Sequence, residues 1–219
     1  MSSHNQFIFQ EDNWQEVLAK ILTFEFNSRD AHLELAPYRN VDFIPQNNFI
    51  ESAIGVHLFY QAEPQIILIE RPQKMRKHAG QIAFPGGKKD SEDKSLQETA
   101  LRESYEELGI LEHEIQCIGN LAKVYIPVTN FMVHSFVFAH NNKPVIVPNP
   151  DEVNVVLTLK LSELMDKSMK SQTDILLGNG TKLKDSPCFK LGSKVIWGAT
   201  GVILNDLKWR IKEFHPLVV

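Results

Sequence analysis

The sequence predicts an α+β sandwich built on a mixed β-sheet. Helical and β-rich segments mix along the chain without a regular βαβα order. The apolar spacing is helical in some windows and strand-like in others. The 219 residues, 43% hydrophobic and 23% charged, are enough for one sizeable core and too few for two large domains. No composition shift marks a boundary, so residues 1–219 are expected to form one domain with an N-terminal helical extension to about residue 48.

Trp14, Val17, Leu18, Ile21 and Leu22 recur at helical spacing and predict a helix over residues 14–26. A segment containing Pro and Asn, 36–48, reads as an irregular connection. Residues 53–60 and 66–71 are β-rich and flank a short polar stretch, which predicts a hairpin. Gly and Pro punctuate residues 78–87. Residues 91–108 are dense in helix formers and end at Gly109, a plausible C-cap. Strands are expected at 115–121, 132–139 and 153–159, and a short helix at 161–169. A turn-rich region at 178–187, a strand at 194–197 and a helix at 200–214 complete the chain.

Composition excludes several functions. Lys+Arg 23 against Asp+Glu 27 leaves a formal charge of −4, without the broad positive field that holds nucleic acid or anionic membrane. The most compact apolar run, residues 66–69, is far short of the roughly 20 residues that span a bilayer. The N-terminus lacks the basic and apolar regions of a signal peptide. Cys117 and Cys188 are the only cysteines and form no CxxC pattern, which points to a reducing, cytoplasmic setting. The expected partner is therefore a small molecule, with no nucleic acid and no membrane. The apolar N-terminal helix leaves a homodimer open.

The chemistry concentrates in residues 102–109. At about 100° per residue, Glu103, Glu106 and Glu107 share one arc of the helix, and Leu101, Tyr105 and Leu108 fall on the other, expected to be the buried face. Three like charges need compensation, and the next positions, Ile110 and Leu111, supply none. Hard divalent cations such as Mg²⁺ or Mn²⁺ satisfy such a cluster; a solvated acidic face is the other reading. Upstream, Gly86 and Gly87 suit a sharp turn or a close approach to a ligand. Asp93 is placed to pair with Arg102 across the loop–helix junction. An EF-hand loop from Asp90 fails at Ser95 and Leu101, and a phosphate-binding loop fails at Ile82 and Lys89.

Gly87, Asp93, Arg102-Glu103, Glu106-Glu107 and Gly109-Ile110 resemble the Nudix box, Gly-x₅-Glu-x₇-Arg-Glu-U-x-Glu-Glu-x-Gly-U. Asp93 replaces Glu, and its gap to Arg102 is one residue longer than the pattern. Both departures are usual in the coenzyme A pyrophosphatase subfamily. A second signature abuts the first: Ile67-Leu68-Ile69-Glu70-Arg71-Pro72, then Met75-Arg76-Lys77-His78-Ala79-Gly80-Gln81-Ile82-Ala83-Phe84-Pro85-Gly86-Gly87. It is similar to LLTxRP…LRxHxGQVAFPGG, with Glu70 in place of Thr.

This resemblance implies a Nudix-type α/β/α sandwich with a central mixed β-sheet. It also implies metal-dependent hydrolysis of the pyrophosphate of coenzyme A or its thioesters to 3′,5′-ADP and 4′-phosphopantetheine or its acyl form. By similarity, Glu103, Glu106 and Glu107 hold the Mg²⁺ or Mn²⁺, which reverses the local sign and admits a polyanion. Glu103, Glu152 and Arg102 stand as the catalytic group, with Glu152 or Glu103 as base for the attacking water. Arg71, Arg76, His78, Gln81, Gly86 and Gly87 are expected to meet the substrate. Trp197 with Phe189 is a candidate adenine-stacking pair, though buried packing is the commoner explanation of such aromatics. Residues 36–48 and 178–187 are expected to shape an acyl pocket. The alternatives are the same scaffold acting on ADP-ribose or another nucleoside diphosphate derivative, and a catalytically silent nucleotide-binding module.

Overall fold

A computed structural model of the chain describes residues 9–37, 48–75, 78–177 and 180–214. Helix α1, Trp14–Thr23, buries Trp14, Leu18, Ile21 and Leu22, the stripe its spacing predicts. It stops short of residue 26, and the Thr23 hydroxyl folds back onto the carbonyls of Ala19 and Lys20. Helix α2, Arg29–Leu35, was not legible, because seven residues carry too short an apolar stripe. A tertiary bond ties it down: Asn205 Nδ2 donates to the Ala31 carbonyl at 2.6 Å.

Strands β1, Ile50–Gln61, and β2, Glu63–Glu70, form the expected hairpin. The polar stretch between them is not a loop. Ala62 turns the chain alone at φ 64°, and Glu63, Pro64 and Gln65 already pair with β1. The short strands β3, Ile82–Ala83, and β4, Gly86–Lys88, pair with β2 and β1 in turn. Helix α3 spans Leu96–Leu108. Strands β5, Ile115–Ile126, β6, Phe131–His140, and β7, Val155–Lys160, complete the large sheet.

Its order is β3-β2-β1-β6-β5, with β4 also on β1 and β7 on the other side of β2. The β1–β6 pair is parallel and its other pairs are antiparallel, so the sheet is mixed. Helix α4, Leu161–Met165, and a 3₁₀ turn at Lys167–Met169 divide the single helix expected there. A second, three-stranded antiparallel sheet follows, of β8, Lys170–Leu176, β9, Lys182–Leu191, and β10, Lys194–Ile196. Strand β9 occupies most of what reads as a turn-rich region. Its lysines face out, and buried Ser186, Cys188 and Phe189 are too sparse to announce a strand. Helix α5, Gly198–Phe214, closes the described chain.

Both faces of the large sheet are covered, which explains the unbroken apolar run in β2. Ile66 and Leu68 join Val56 and Leu58 of β1 under α1 and α5, in the larger core. Ile67 and Ile69 point the other way, to Phe59, Leu108 and Ile110 at the end of α3. Ala53, Ala100 and Phe138 fill the space beneath the start of α3. The result is the α+β fold of three layers, helix on sheet on helix. No helix among the described residues is long and apolar enough to cross a membrane. Cys117 and Cys188 are free thiols.

Candidate active site

Helix α3 begins at Leu96, not at residue 91, because Ser95 caps it: the Ser95 hydroxyl accepts from the Glu98 amide at 3.1 Å. Just before the cap, buried Asp93 accepts from the Asp90 amide and the Thr99 hydroxyl. The helix ends as expected at Gly109, whose φ of 69° is the left-handed C-cap conformation.

Arg102 then reaches back to the loop. Its Nε and Nη2 lie 3.0 and 3.1 Å from the two oxygens of Asp93, a bidentate pair. This pair holds the Asp93 carboxyl down at about 2. The same guanidinium donates to Glu103 and Glu106 at 2.9 Å each and to the Lys88 carbonyl at 3.1 Å. Its described contacts are thus to the acids and the loop it organises.

The helix buries only part of the face its pattern suggests, Leu108 but not Tyr105. Tyr105 is 58% exposed, whereas the Glu107 residue is only 1% exposed. Small Ala100 and Ser104 let α3 settle on the sheet with Glu107 pointing inward. There it meets the loop glycines. The Gly86 amide donates to Glu107 at 3.1 Å, and Arg71 of the β2 end lies 3.5 Å from the same carboxylate. A Cβ on Gly87 would fall 2.3 Å from a Glu103 oxygen, so glycine is what allows this approach. Gly86 likewise has a φ of +154° and no room for a Cβ beside the Ala53 carbonyl.

Glu152 joins from the loop between β6 and β7. Its loop is tied to the end of α3 by amide bonds from Val147 to the Leu108 carbonyl and from Asn149 to the Glu107 carbonyl. Glu103, Glu107 and Glu152 each offer an oxygen within 4.8 Å of the others. Glu106, expected among the metal ligands, points instead to Arg102 and is half-exposed. Distinguishing it from Glu152 required the loop geometry, since the helix alone shows three equivalent acids.

Burial pushes the Glu107 carboxyl up to about 8, with Glu103 and Glu152 adding repulsion against the opposing pull of Arg71 and the Gly86 amide. Burial raises Glu103 as well. Buried Glu107, half-buried Glu103 and Glu152 beside them form a carboxylate donor set that fits a hard divalent cation. The metal-free chain should show this in its stability. Glu107 keeps its proton to about 8 when folded but yields it near 4.5 when unfolded. The unfolded chain then binds fewer protons, and stability must fall as pH rises. The buried histidines His57 and His140, both lowered from 6.5, act in the opposite sense only below that value. With chelator, between about pH 6.5 and 8, we expect a loss of about 1–2 kcal/mol, or about 4 °C in Tm. Thermal scans of Glu107→Gln should lack this slope, and an unchanged slope would refute the assignment.

The other expected substrate residues are dispersed around this cluster. His78 and Gln81 hydrogen-bond to each other at 2.9 Å on the loop, and Arg76 lies outside the described residues. Arg71 and Glu70 point to opposite faces of β2: Arg71 to Glu107, Glu70 to Lys194 at 2.5 Å. Gln81 and Trp197 line a cavity of about 390 Å³ on the Glu70–Lys194 side. Phe189 is fully buried in the core, so it offers no stacking face to a ligand. Of the segments expected to form an acyl pocket, residues 38–47 and 178–179 lie outside the described residues. Ser104 escaped the sequence reading. It stands where the box pattern carries an apolar side chain, and it is fully buried against His57.

Comparison with known proteins agrees with this geometry. Residues 51–176 match the NUDIX domain family. The chain is 32% identical over 164 residues to "Uncharacterized Nudix hydrolase NudL" of Yersinia enterocolitica, covering 75% of this chain and 83% of the relative. The protein of the same name from Citrobacter koseri is 33% identical over 167 residues, covering 74% of this chain and 82% of the relative. The crystal structure of a Nudix hydrolase from M. smegmatis, RenU, has the same fold at a TM-score of 0.51 and 14% identity, covering 78% of this chain and 88% of that one. A sequence match spanning most of the sheet, α3 and the Glu152 loop therefore coincides with the converging carboxylates, and the chain belongs to the Nudix family of pyrophosphohydrolases.

Proposed function

We propose that the protein is a coenzyme A diphosphatase, cleaving the pyrophosphate of coenzyme A or a thioester of it. The observation that carries this reading is the placement of Arg71. It opens the loop that resembles the coenzyme A signature, it reaches Glu107, and its buried Nε has no hydrogen-bond partner among the described residues. An unpaired buried guanidinium nitrogen beside a carboxylate cluster suits an anionic phosphate oxygen.

Glu103 and Glu107 are the ligands for Mg²⁺ or Mn²⁺, with Glu152 completing or sharing the set. Such an ion offsets the carboxylate charge and polarises phosphoryl oxygens. Arg71 orients the pyrophosphate by donating to its oxygens. Glu152, held by Asn149 Nδ2 at 3.4 Å, accepts a proton from the attacking water at a carboxylate oxygen. Water adds to one phosphorus as the bridging P–O bond breaks, and the leaving phosphate departs in line. Arg102 acts through Glu103 and Asp93, keeping α3 and the loop in register. The products are 3′,5′-ADP and 4′-phosphopantetheine or its acyl form.

Product analysis with coenzyme A and ADP-ribose, with Mg²⁺ or Mn²⁺ and with chelator, tests this. Coenzyme A should be cleaved faster, and chelator should stop both reactions. Equal or reversed preference would remove the coenzyme A assignment, and no cleavage of either would favour a silent binding module.

A further inference from the structure

Beneath α3 runs a buried polar chain that the carboxylate chemistry does not use. Ser104 sits on the helix between Glu103 and Glu107, and its hydroxyl lies 2.5 Å from the Ala100 carbonyl. A carbonyl only accepts, so the Ser104 proton is committed there. The His57 Nε2, 2.8 Å from Ser104 Oγ, must therefore be the donor in that bond. With its proton on Nε2, neutral His57 accepts at Nδ1 from His140 Nε2, 3.1 Å away. Every bond points the same way, from β6 through β1 into α3.

The three residues are buried, and His57 stacks on Phe138 with ring centroids 5.1 Å apart. Desolvation holds both histidines below their ordinary value, consistent with the neutral forms. A Cβ on Gly55 would sit 2.5 Å from His57 Nε2 and 2.9 Å from Ser104 Oγ. The strand thus leaves space for this contact. The same stretch of β1 carries β4 through the registers Ala53↔Gly87 and Ile54↔Gly86. One strand therefore aligns both the loop glycines and the helix that bears the acids.

We propose that His57 is a positioning residue that, through Ser104, fixes how α3 seats on β1 and so sets where the Glu103 and Glu107 carboxylates lie against the Gly86–Gly87 loop that the same strand carries. The inference rests on reading those carboxylates as metal ligands. A hydroxyl–imidazole bond has one favoured length and direction, whereas an apolar contact tolerates sliding. A ligand pair fixed this way gains metal affinity from the residues that orient it.

The amide side chains separate this role from mere packing. In His57→Gln the terminal amide nitrogen can reproduce Nε2 and keep the bond to Ser104. In His57→Asn the shorter amide can meet His140 but not Ser104. Mn²⁺ binding by metal-free protein, read from the electron paramagnetic resonance of free Mn²⁺, is the measurement. We expect affinity to fall about tenfold or more in Ser104→Ala and in His57→Asn. The double variant should be no weaker than either, because both remove one bond. His57→Gln should stay within about threefold of the parent. Equal losses in the Gln and Asn variants, additive losses in the double, or unchanged affinity in Ser104→Ala would overturn the proposal. Ser104→Ala only shortens a buried side chain, so it decides the matter even if a histidine variant fails to fold. If the parent chain itself binds no Mn²⁺ and Glu107→Gln changes nothing, the metal reading fails first and this one with it.

Discussion

Glu107→Gln is expected to lower kcat on the order of 10³-fold or more and to weaken Mn²⁺ binding, while leaving the metal-free protein at pH 8 no less stable. The substitution keeps the shape and an oxygen that accepts from the Gly86 amide, 3.1 Å from the present carboxylate. It removes only the charge. In the buried site that charge opposes folding, since burial pushes Glu107 up to about 8. A neutral amide escapes this cost, so the variant should match or exceed the parent Tm in chelator. The same charge is what a divalent cation requires, so adding Mg²⁺ or Mn²⁺ should raise Tm in the parent far more than in the variant. Turnover and thermal scans with and without metal decide the point. Undiminished turnover would mean that the reaction does not run through this cluster.

Arg102→Met should cost about 3 kcal/mol, or about 10 °C in Tm, a larger loss than any surface ion pair. Asp93 would stay buried with only the Asp90 amide and the Thr99 hydroxyl as donors. Glu103 and Glu106 would lose their shared counter-charge at the same time. The pH dependence follows from the direction of the Asp93 shift, down from 3.8 to about 2. A carboxyl depressed by folding stabilises the protein above its unfolded value, and that gain is lost as pH falls through the folded one. The gap between parent and variant should persist down to about pH 4 and close only toward pH 2. Arg102→Lys keeps the charge but not the planar fork, and should fall between the two. Thermal scans across this range check the series; a variant within about 2 °C of the parent at neutral pH would show that Arg102 does not organise the loop.

Elements with a strong local signal were legible. The α1 stripe, the β1–β2 hairpin and the Gly109 cap follow from spacing and from one residue's backbone freedom. Elements stabilised mainly by distant contacts were not. Helix α2 is anchored by Asn205 across 174 residues of chain, and strands β8 and β9 bury too few side chains to show a pattern. The face of α3 misled for a related reason. Amphipathic reasoning treats every glutamate as outward-facing, but Glu107 is drawn inward beside an amide, an arginine and two other acids.

By itself the sequence determined the family, the acidic helix, the loop glycines and the Asp93–Arg102 pair, because each depends on residues close together in the chain. Tertiary structure alone decided that Glu152 comes beside Glu103 and Glu107 while Glu106 pairs with Arg102, and that Ser104 rests on His57. Charge and spacing make the three helix acids look alike. What distinguishes them is which one the sheet buries, which one Arg102 captures and which loop folds back over the helix end, and those are matters of packing between distant segments.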